Sequence, residues 1–195
     1  MHGLINLALQ GFVQDTYGPE IWAEVRSVAG LEFHEFEAML HYDDALTSRT
    51  VEAGSSVLQK DDTSLLEDVG TYLVSHPNPQ AIRRLLRYGG STFYEFLHSL
   101  DDLSGRARLA VPDLDMPEFS LVQTDTQTFV LECRWLLKGM GSVTLGALRA
   151  LADDYGVLVF LDGDTTGDQV ERILINVLDR NFTLGRRFDL GEQVL

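Results

Sequence analysis

Cys133 is the only cysteine in the 195-residue sequence, so the chain cannot build a disulfide framework of its own. A zinc or iron–sulfur site made from several cysteines is excluded for the same reason. Apolar runs stay well short of the ~20 residues that a membrane-spanning helix requires. The opening segment also lacks the basic stretch of a secretory signal. We therefore expect no membrane partner and a cytoplasmic location.

Basic residues are scarce as well: 15 Lys and Arg stand against 30 Asp and Glu, which gives a formal net charge of −15. Because phosphate binding needs a basic surface, this balance argues against a nucleic-acid partner. The signatures GxxxxGK[ST], GxSxG, HExxH and GxGxxG are absent. Paired acids such as Asp101-Asp102 stand at helix ends or turns, and no second cluster completes a catalytic set. The sequence therefore predicts a binding protein and not an enzyme.

Helical patterning dominates the first half of the chain. The whole sequence is 45% apolar, which is enough to build a hydrophobic core. Apolar side chains recur at helical spacing over residues 1–59, with breaks at residues 17–20 and at Gly30. Asp61 and Asp62 favour the start of a further helix. The helices predicted after this point cover residues 61–76, residues 78–86, and a stretch from about residue 91 to residue 103.

The helical pattern ends near residue 105, and a connector that contains Pro112 and Pro117 follows. Residues 128–135 are rich in β-branched and aromatic side chains and predict a strand. The elements predicted after it are a helix over residues 142–155, strands over residues 157–161 and 172–177, and a turn over residues 162–167. The fold class is therefore α+β: a helical N-terminal lobe followed by a small antiparallel sheet with one or two packed helices.

Five fragments in a fixed order resemble the haem nitric-oxide/oxygen binding (H-NOX) family, which also supplies the sensor module of soluble guanylate cyclase. The resemblance covers nearly the whole chain. The fragments are Met1-x-Gly3-x-x-Asn6, Tyr17-Gly18-Pro19-Glu20-x-Trp22, Tyr42-Asp43-Asp44, Phe96-Leu97-x-x-Leu100-Asp101-x-Leu103, and Pro117. The resemblance implies one domain over residues 1–195, with a distal helical lobe over residues 1–60 and proximal helices and sheet over residues 61–195.

The resemblance further implies a bacterial stand-alone sensor that binds haem b between the two lobes. Its gaseous ligand would be nitric oxide, with CO as a possible second ligand, and its output would be a diguanylate cyclase or a histidine kinase regulated in trans. In oxygen-binding relatives a distal tyrosine hydroxyl stabilises bound O₂. Val143 stands at about that position and cannot donate, so a haem-bound form is expected not to hold O₂ stably.

Two departures from the family pattern concern the haem itself. The family's proximal histidine follows the position of Leu103, and this sequence has Ser104 there. A serine hydroxyl is a poor iron ligand beside an imidazole. The family's Tyr-x-Ser-x-Arg motif, which holds the haem propionates, falls on Cys133, Trp135 and Leu137. Arg134 beside this stretch is the nearby guanidinium that can pair with a propionate.

Two histidines are candidates for the iron ligand. His76 shares a helix face with Tyr72, four residues earlier, on what the resemblance makes the distal wall. Its alternative role is to contact the last carbonyls of its helix. His98 is the runner-up, although helical geometry points it about 240° from the face of residue 104 and towards solvent. Cys133 is a third possible ligand only if it faces the pocket, and is otherwise a small core residue.

The remaining candidate residues would form the walls of the haem pocket by resemblance, and an ordinary apolar core is the alternative for all of them. They are Ile5, Tyr72, Leu100, Val143 and Leu148, with Pro117 placed against the macrocycle. Two functions stay open at this point. One is a haem-based nitric oxide sensor. The other is a haem-free module of the same fold that binds another small apolar ligand or regulates a protein by direct interaction.

Overall fold

The computed structural model describes residues 1–135, 137–164, 170–186 and 188. Its helices are α1 (Gly3–Tyr17), α2 (Pro19–Ala29), α3 (Asp44–Leu58), α4 (Asp62–Ser75), α5 (Gln80–Arg87), α6 (Phe93–His98), α7 (Leu103–Ala110) and α8 (Met140–Tyr155), with a 3₁₀ turn at Leu100–Asp102. Its strands are β1 (Glu118–Gln123), β2 (Thr128–Arg134), β3 (Leu158–Asp164) and β4 (Val170–Asp179). The predicted α+β class is confirmed.

The N-terminal helices begin and end at residues with clear local reasons. The Asp43 carboxylate accepts from the backbone N–H of Ala45 at the start of α3, and Asp61 accepts from Ser64 at the start of α4. Such side chains satisfy N–H groups that have no partner within the helix. Gly30 ends α2 in the left-handed conformation, with φ of 66°. These helix boundaries match the sequence pattern closely.

The four strands form one antiparallel sheet in the order β1-β2-β4-β3. Alternate residues of the central strands β2 and β4 point to one face, where they are buried against α6, α8 and the 3₁₀ turn. Phe129, Leu131, Ile173 and Ile175 are fully buried on this face. The opposite face carries exposed side chains such as Phe160. The sheet thus supplies one wall of a C-terminal core.

Helices α4 and α8 pack together at backbone contact, and this packing joins the two halves of the molecule. A Cβ atom at Gly70 would overlap the Val143 carbonyl oxygen, and one at Gly146 would overlap the Glu67 carbonyl oxygen. The Thr71 hydroxyl adds hydrogen bonds of 3.1 Å to the Glu67 carbonyl and 3.3 Å to the Gly146 carbonyl. Glycine is needed at both contacts because any side chain would separate the helices.

Three details differ from the sequence-based expectation. The helix predicted from about residue 91 to residue 103 is instead α6, the 3₁₀ turn and α7, because Thr92 caps α6 and the Ser99 hydroxyl bonds back to the Phe96 carbonyl. Strand β1 was not predicted, because four of its six residues are exposed and it lies at the sheet edge. The turn predicted over residues 162–167 lies partly outside the described residues, and β3 already includes residues 162–164.

Two hydrophobic clusters form the interior. The first joins α1–α3 with Leu65, Val69 and Tyr72 of α4, and the second joins the sheet with α6–α8 and Val74. Helix α4 therefore contributes to both cores, and the division at residue 60 stays a prediction. Among the described residues, none of the helices combines the length and the apolar character that a bilayer crossing requires.

Candidate functional site

A cleft of about 400 Å³ opens where the start of the chain meets the ends of β1 and β2. Its apolar wall includes Met116, Trp135, Leu137 and Val170. The Trp135 indole N–H is itself inaccessible and meets no hydrogen-bond acceptor among the described residues. The other lining residues are Met1, Asp44, Asp115, Glu118 and Arg134. Pockets of this size and mixed character suit small organic ligands.

The charge around the cleft is mostly negative. Asp44 is paired with the Met1 ammonium group at 2.7 Å, while Asp115 and Glu118 lie on the same lining. Arg134 lines the cleft but pairs with Glu132 at 3.2 Å, and its side chain is 59% exposed. Hydrogen bonds from Arg172 and from Arg134 hold the pKa of Glu132 below its usual range. Arg134 is therefore already partnered by a carboxylate of its own strand.

Ser104 lies in the first turn of α7, beside the wall of the cleft. It is buried, and its hydroxyl donates a hydrogen bond to the Pro117 carbonyl oxygen. Pro117 is buried too, and its neighbours Met116 and Glu118 line the cleft. The bond therefore links α7 to the residue that precedes β1. It uses the side chain at the position where the resemblance places an iron ligand. A hydroxyl engaged in this way is not directed at a ligand in the cleft.

Tyr72 and His76 belong to a polar network on the α1 side of α4. The Tyr72 hydroxyl donates to Asp15 Oδ2 at 2.5 Å, and Asn78 Nδ2 donates to the same oxygen at 2.7 Å. The His76 ring stacks on Tyr72 with centroids 4.9 Å apart, and its Nδ1 lies 3.6 Å from Asp15 Oδ2. Nδ1 also accepts from the Asn78 backbone N–H at 3.3 Å. His76 thus ends α4 and contacts α1.

The hydrogen bond between Tyr72 and Asp15 shifts the pKa values of both residues. The Tyr72 hydroxyl lowers the pKa of Asp15, and Asn78 and His76 act in the same direction. Burial, followed by the Asp15 carboxylate, raises the pKa of Tyr72 above its ordinary value. Tyr72 is therefore a neutral hydrogen-bond donor at physiological pH. The folded state favours the charged form of Asp15.

Tyr72→Phe is expected to destabilise the protein by about 1.5–3 kcal/mol at pH 7, since it removes a hydrogen bond to a charged acceptor. The pKa of Asp15 is lower in the folded protein than in the unfolded chain. The stability that this difference gives is fully present above the unfolded pKa, and it is lost as the pH falls through the folded pKa. The difference between wild type and Tyr72→Phe should therefore shrink below the ordinary Asp pKa of 3.8. Urea unfolding at pH 7, 5 and 3 measures it. A difference that stays constant down to pH 3 would contradict this role for Asp15.

His76 is remote from the cleft. Met1 lines the cleft, whereas the Asp15 partner of His76 stands near the far end of the 15-residue helix α1. At 1.5 Å per residue, twelve residues of this helix separate the two places by roughly 18 Å. His98 is exposed, with its ring 5.9 Å from that of Phe129. The structure therefore brings neither histidine to the cleft, and their roles as iron ligands stay predictions.

The remaining candidates are also spread through the molecule. Leu100 and Leu148 are buried in the C-terminal cluster, whereas Ile5 on α1 and Val143 on α8 are half-buried. Arg134 alone among the predicted site residues lines the cleft. Burial raises the pKa of Cys133 to about 12, so this residue stays a protonated thiol within the sheet and is a poor metal ligand.

These observations allow a test of whether the residues present fit the haem that the resemblance implies. The hydroxyl at residue 104 is engaged by Pro117. Within the described lining of the cleft, Arg134 and the Met1 ammonium are each paired with a carboxylate, so a propionate would compete with Glu132 or Asp44 for its cation and would lie near Asp115 and Glu118. The residues around the cleft do not fit a haem.

Sequence reasoning missed most of the residues that form this site. Asp115, Met116 and Glu118 precede or begin β1, which the sequence pattern did not predict. Alternation of Phe119 and Leu121 with polar residues was the signal that marks this strand. Asp15 was missed because nothing in the sequence connects it with Tyr72, 57 residues later.

Comparison with known proteins gives a consistent result for the chain as a whole. The family model described as Haem-NO-binding matches residues 2–159. The chain is 25% identical over 154 residues to soluble guanylate cyclase gcy-31 of Caenorhabditis elegans, covering 79% of this chain and 22% of that protein. It is 24% identical to soluble guanylate cyclase 89Da of Drosophila melanogaster, covering 80% of this chain and 23% of the relative. The chain thus spans less than a quarter of the length of these curated relatives.

Solved structures resemble the fold closely at low sequence identity. An H-NOX protein mutant from S. oneidensis in the Fe(II) state gives a TM-score of 0.78 at 16% identity, covering 94% of this chain and all of that chain. An Fe(II) unliganded H-NOX mutant from K. algicida gives 0.75 at 15% identity, covering 92% and 97% of the two chains. At such identities the similarity shows the fold alone.

Proposed function

Because the chain belongs to the Haem-NO-binding family, whose H-NOX domains are haem-based gas-sensor modules, we propose that it is a signalling module that has kept the sensor fold without holding haem through residue 104. The observation that carries this proposal is the buried Ser104 hydroxyl, which donates to the Pro117 carbonyl where the family has its proximal histidine. Signalling through a proximal iron bond is therefore not available to residue 104.

The proposed ligand is a small, mainly apolar molecule with one hydrogen-bond acceptor. The cleft of about 400 Å³ supports this, since its wall includes Met116, Leu137 and Val170. The Trp135 indole N–H is a donor that lacks an acceptor among the described residues, and it would meet the acceptor of the ligand once a turn of its ring exposes it to the cleft. Binding would favour one arrangement of the elements that meet at the cleft. The output partner, by family resemblance, is a diguanylate cyclase or a histidine kinase acting in trans.

The second candidate is the haem-based nitric oxide sensor, with CO as a further possible ligand, and family membership itself favours it. In that case haem b would need a ligand other than residue 104, and His76 remains the first candidate. His98 serves as the comparison, because it is exposed on α6. Pocket residues would be those implied by the resemblance.

A haem titration separates the two candidates. We expect the full chain, produced with haem supplied and then titrated, to show no stoichiometric Soret band, because the residues around the cleft offer neither an iron ligand nor unpaired cations for propionates. Absorption spectroscopy of the ferrous and ferric protein measures it. A stoichiometric Soret band that His76→Ala abolishes and His98→Ala leaves intact would overturn the haem-free proposal and establish the second candidate.

A further inference from the structure

Two arginines of α5 share one buried carboxylate at the C-terminal end of α8. Arg83 donates from Nε and Nη2 to the two oxygens of Asp154, at 3.2 and 2.7 Å. Arg87 Nε lies 3.6 Å from Asp154 Oδ2, too far for a hydrogen bond. The Asp154 side chain is only 2% exposed. The cluster therefore holds one more positive than negative charge among these three residues, in a chain whose net charge is −15.

The Arg87 guanidinium is buried without a full set of acceptors. Its side chain is 9% exposed, and its Nε and Nη1 atoms are inaccessible and make no hydrogen bond with the described residues. Its guanidinium carbon lies 3.8 Å from the centre of the Tyr155 ring and 5.0 Å from that of the Phe188 ring. Both rings lie close to the cation, but an aromatic ring offers no acceptor to N–H groups that point out in the guanidinium plane. Buried donors without acceptors are uncommon in folded proteins and call for an explanation.

Phe188 covers this cluster because the chain before it is anchored to the end of α8. The Arg186 backbone N–H donates to the Asp154 carbonyl at 2.8 Å, and the Thr183 N–H donates to the Gly156 carbonyl at 3.0 Å. The Phe188 ring then lies 5.6 Å from the Arg83 guanidinium carbon as well as against Arg87. An aromatic ring thus occupies the approach to two guanidinium groups and offers them no hydrogen-bond acceptor in their plane.

We propose that Arg83 and Arg87 form a binding site for a phosphate-type oxyanion, which Phe188 closes when the site is empty. A tetrahedral oxyanion supplies several acceptors at once, and the planar guanidinium fork matches them in pairs. Asp154 keeps Arg83 oriented, while the oxyanion takes the Arg87 donors that lack partners in the described part of the chain. The site lies apart from the cleft and does not depend on whether the chain binds haem or the ligand proposed above.

The test uses the full chain as wild type, Phe188→Ala and the double variant Phe188→Ala/Arg87→Lys. Inorganic phosphate and free phosphoserine are titrated at constant ionic strength against chloride, and the arginine Nε–Hε resonances are followed by ¹⁵N NMR. We expect Phe188→Ala to bind at least one probe at least about tenfold more tightly than wild type, with the Arg87 resonance shifting. Adding Arg87→Lys should reverse the gain, because lysine keeps the charge but loses the fork.

Arg172→Gln on the Phe188→Ala background is the matched control, because Arg172 is 58% exposed and pairs with Glu132 on the sheet. It should bind like Phe188→Ala itself. Preference for phosphoserine would assign the oxyanion to a phosphorylated side chain, and preference for inorganic phosphate to a free ion; either preference supports the site. No gain in Phe188→Ala, with native far-UV circular dichroism, would overturn the proposal, as would an equal loss of binding in the Arg172 variant.

Discussion

Gly146→Ala should lower the free energy of unfolding by about 3 kcal/mol, at the upper end of overpacking costs, which is a large part of the stability of an ordinary domain. The added Cβ atom would overlap the Glu67 carbonyl oxygen on α4, and neither backbone can give way as a flexible side chain would. Gly70→Ala meets the Val143 carbonyl oxygen in the same interface and should have a similar effect. Urea unfolding followed by far-UV circular dichroism measures both changes.

Gly105→Ala is the matched control for this substitution. Gly105 lies within α7, is exposed, and has no atom within 4 Å of a Cβ placed on it. Alanine should therefore stabilise the protein there by about 0.5–1 kcal/mol through helix propensity alone. If Gly146→Ala behaved like Gly105→Ala, backbone contact between α4 and α8 would not be what holds the two halves together.

This contact lies between the two hydrophobic clusters, because α4 belongs to both of them. Leu65 and Val69 pack in the N-terminal cluster, while Val74 packs in the C-terminal one. Helices packed at backbone contact have no flexible side chains between them, so a close-packed interface of this kind has low compressibility and transmits strain. Helix α4 therefore joins the two clusters, and α8 is held against it at backbone contact.

Local signals in the sequence predicted the N-terminal half well. Asp43, Asp61 and Gly30 act at helix ends as such residues usually do, and each effect depends only on neighbours along the chain. The break after α6 was missed because its apolar stripe continues through Leu100 and Leu103, so periodicity alone indicates one helix. The Ser99 hydroxyl donates to the Phe96 carbonyl oxygen and so competes with the helical hydrogen-bond pattern. Apolar periodicity carries no information about such a bond.

The site was harder to predict because its contacts join distant parts of the chain. That Ser104 replaces a histidine is visible in the sequence, but its bond to Pro117 depends on where β1 begins. The direction of His76 is set by Asp15, on a different helix. The position of Tyr72 four residues earlier correctly indicates a shared helix face, but not which neighbouring helix that face meets.

Ser104→His should give the protein haem binding at least about tenfold tighter than that of wild type. The substitution replaces a poor iron ligand by an imidazole at the family's proximal position. It also breaks the hydrogen bond to the Pro117 carbonyl and adds volume at a buried site, so a stability loss of about 1–3 kcal/mol should accompany it. Soret absorbance during a haem titration, with thermal unfolding of the apo protein, measures both effects.

Ser104→Asn is the control, because it adds a polar side chain of intermediate size without an imidazole. It should lose stability in the same direction but gain no Soret band. If Ser104→His bound haem no better than Ser104→Asn, residue 104 would not face a space able to hold the macrocycle, and the alignment of α7 with the family's proximal helix would be wrong. If it bound haem while wild type did not, the fold would have kept the capacity for haem, and the side chain at residue 104 would be what separates this chain from the sensors it resembles.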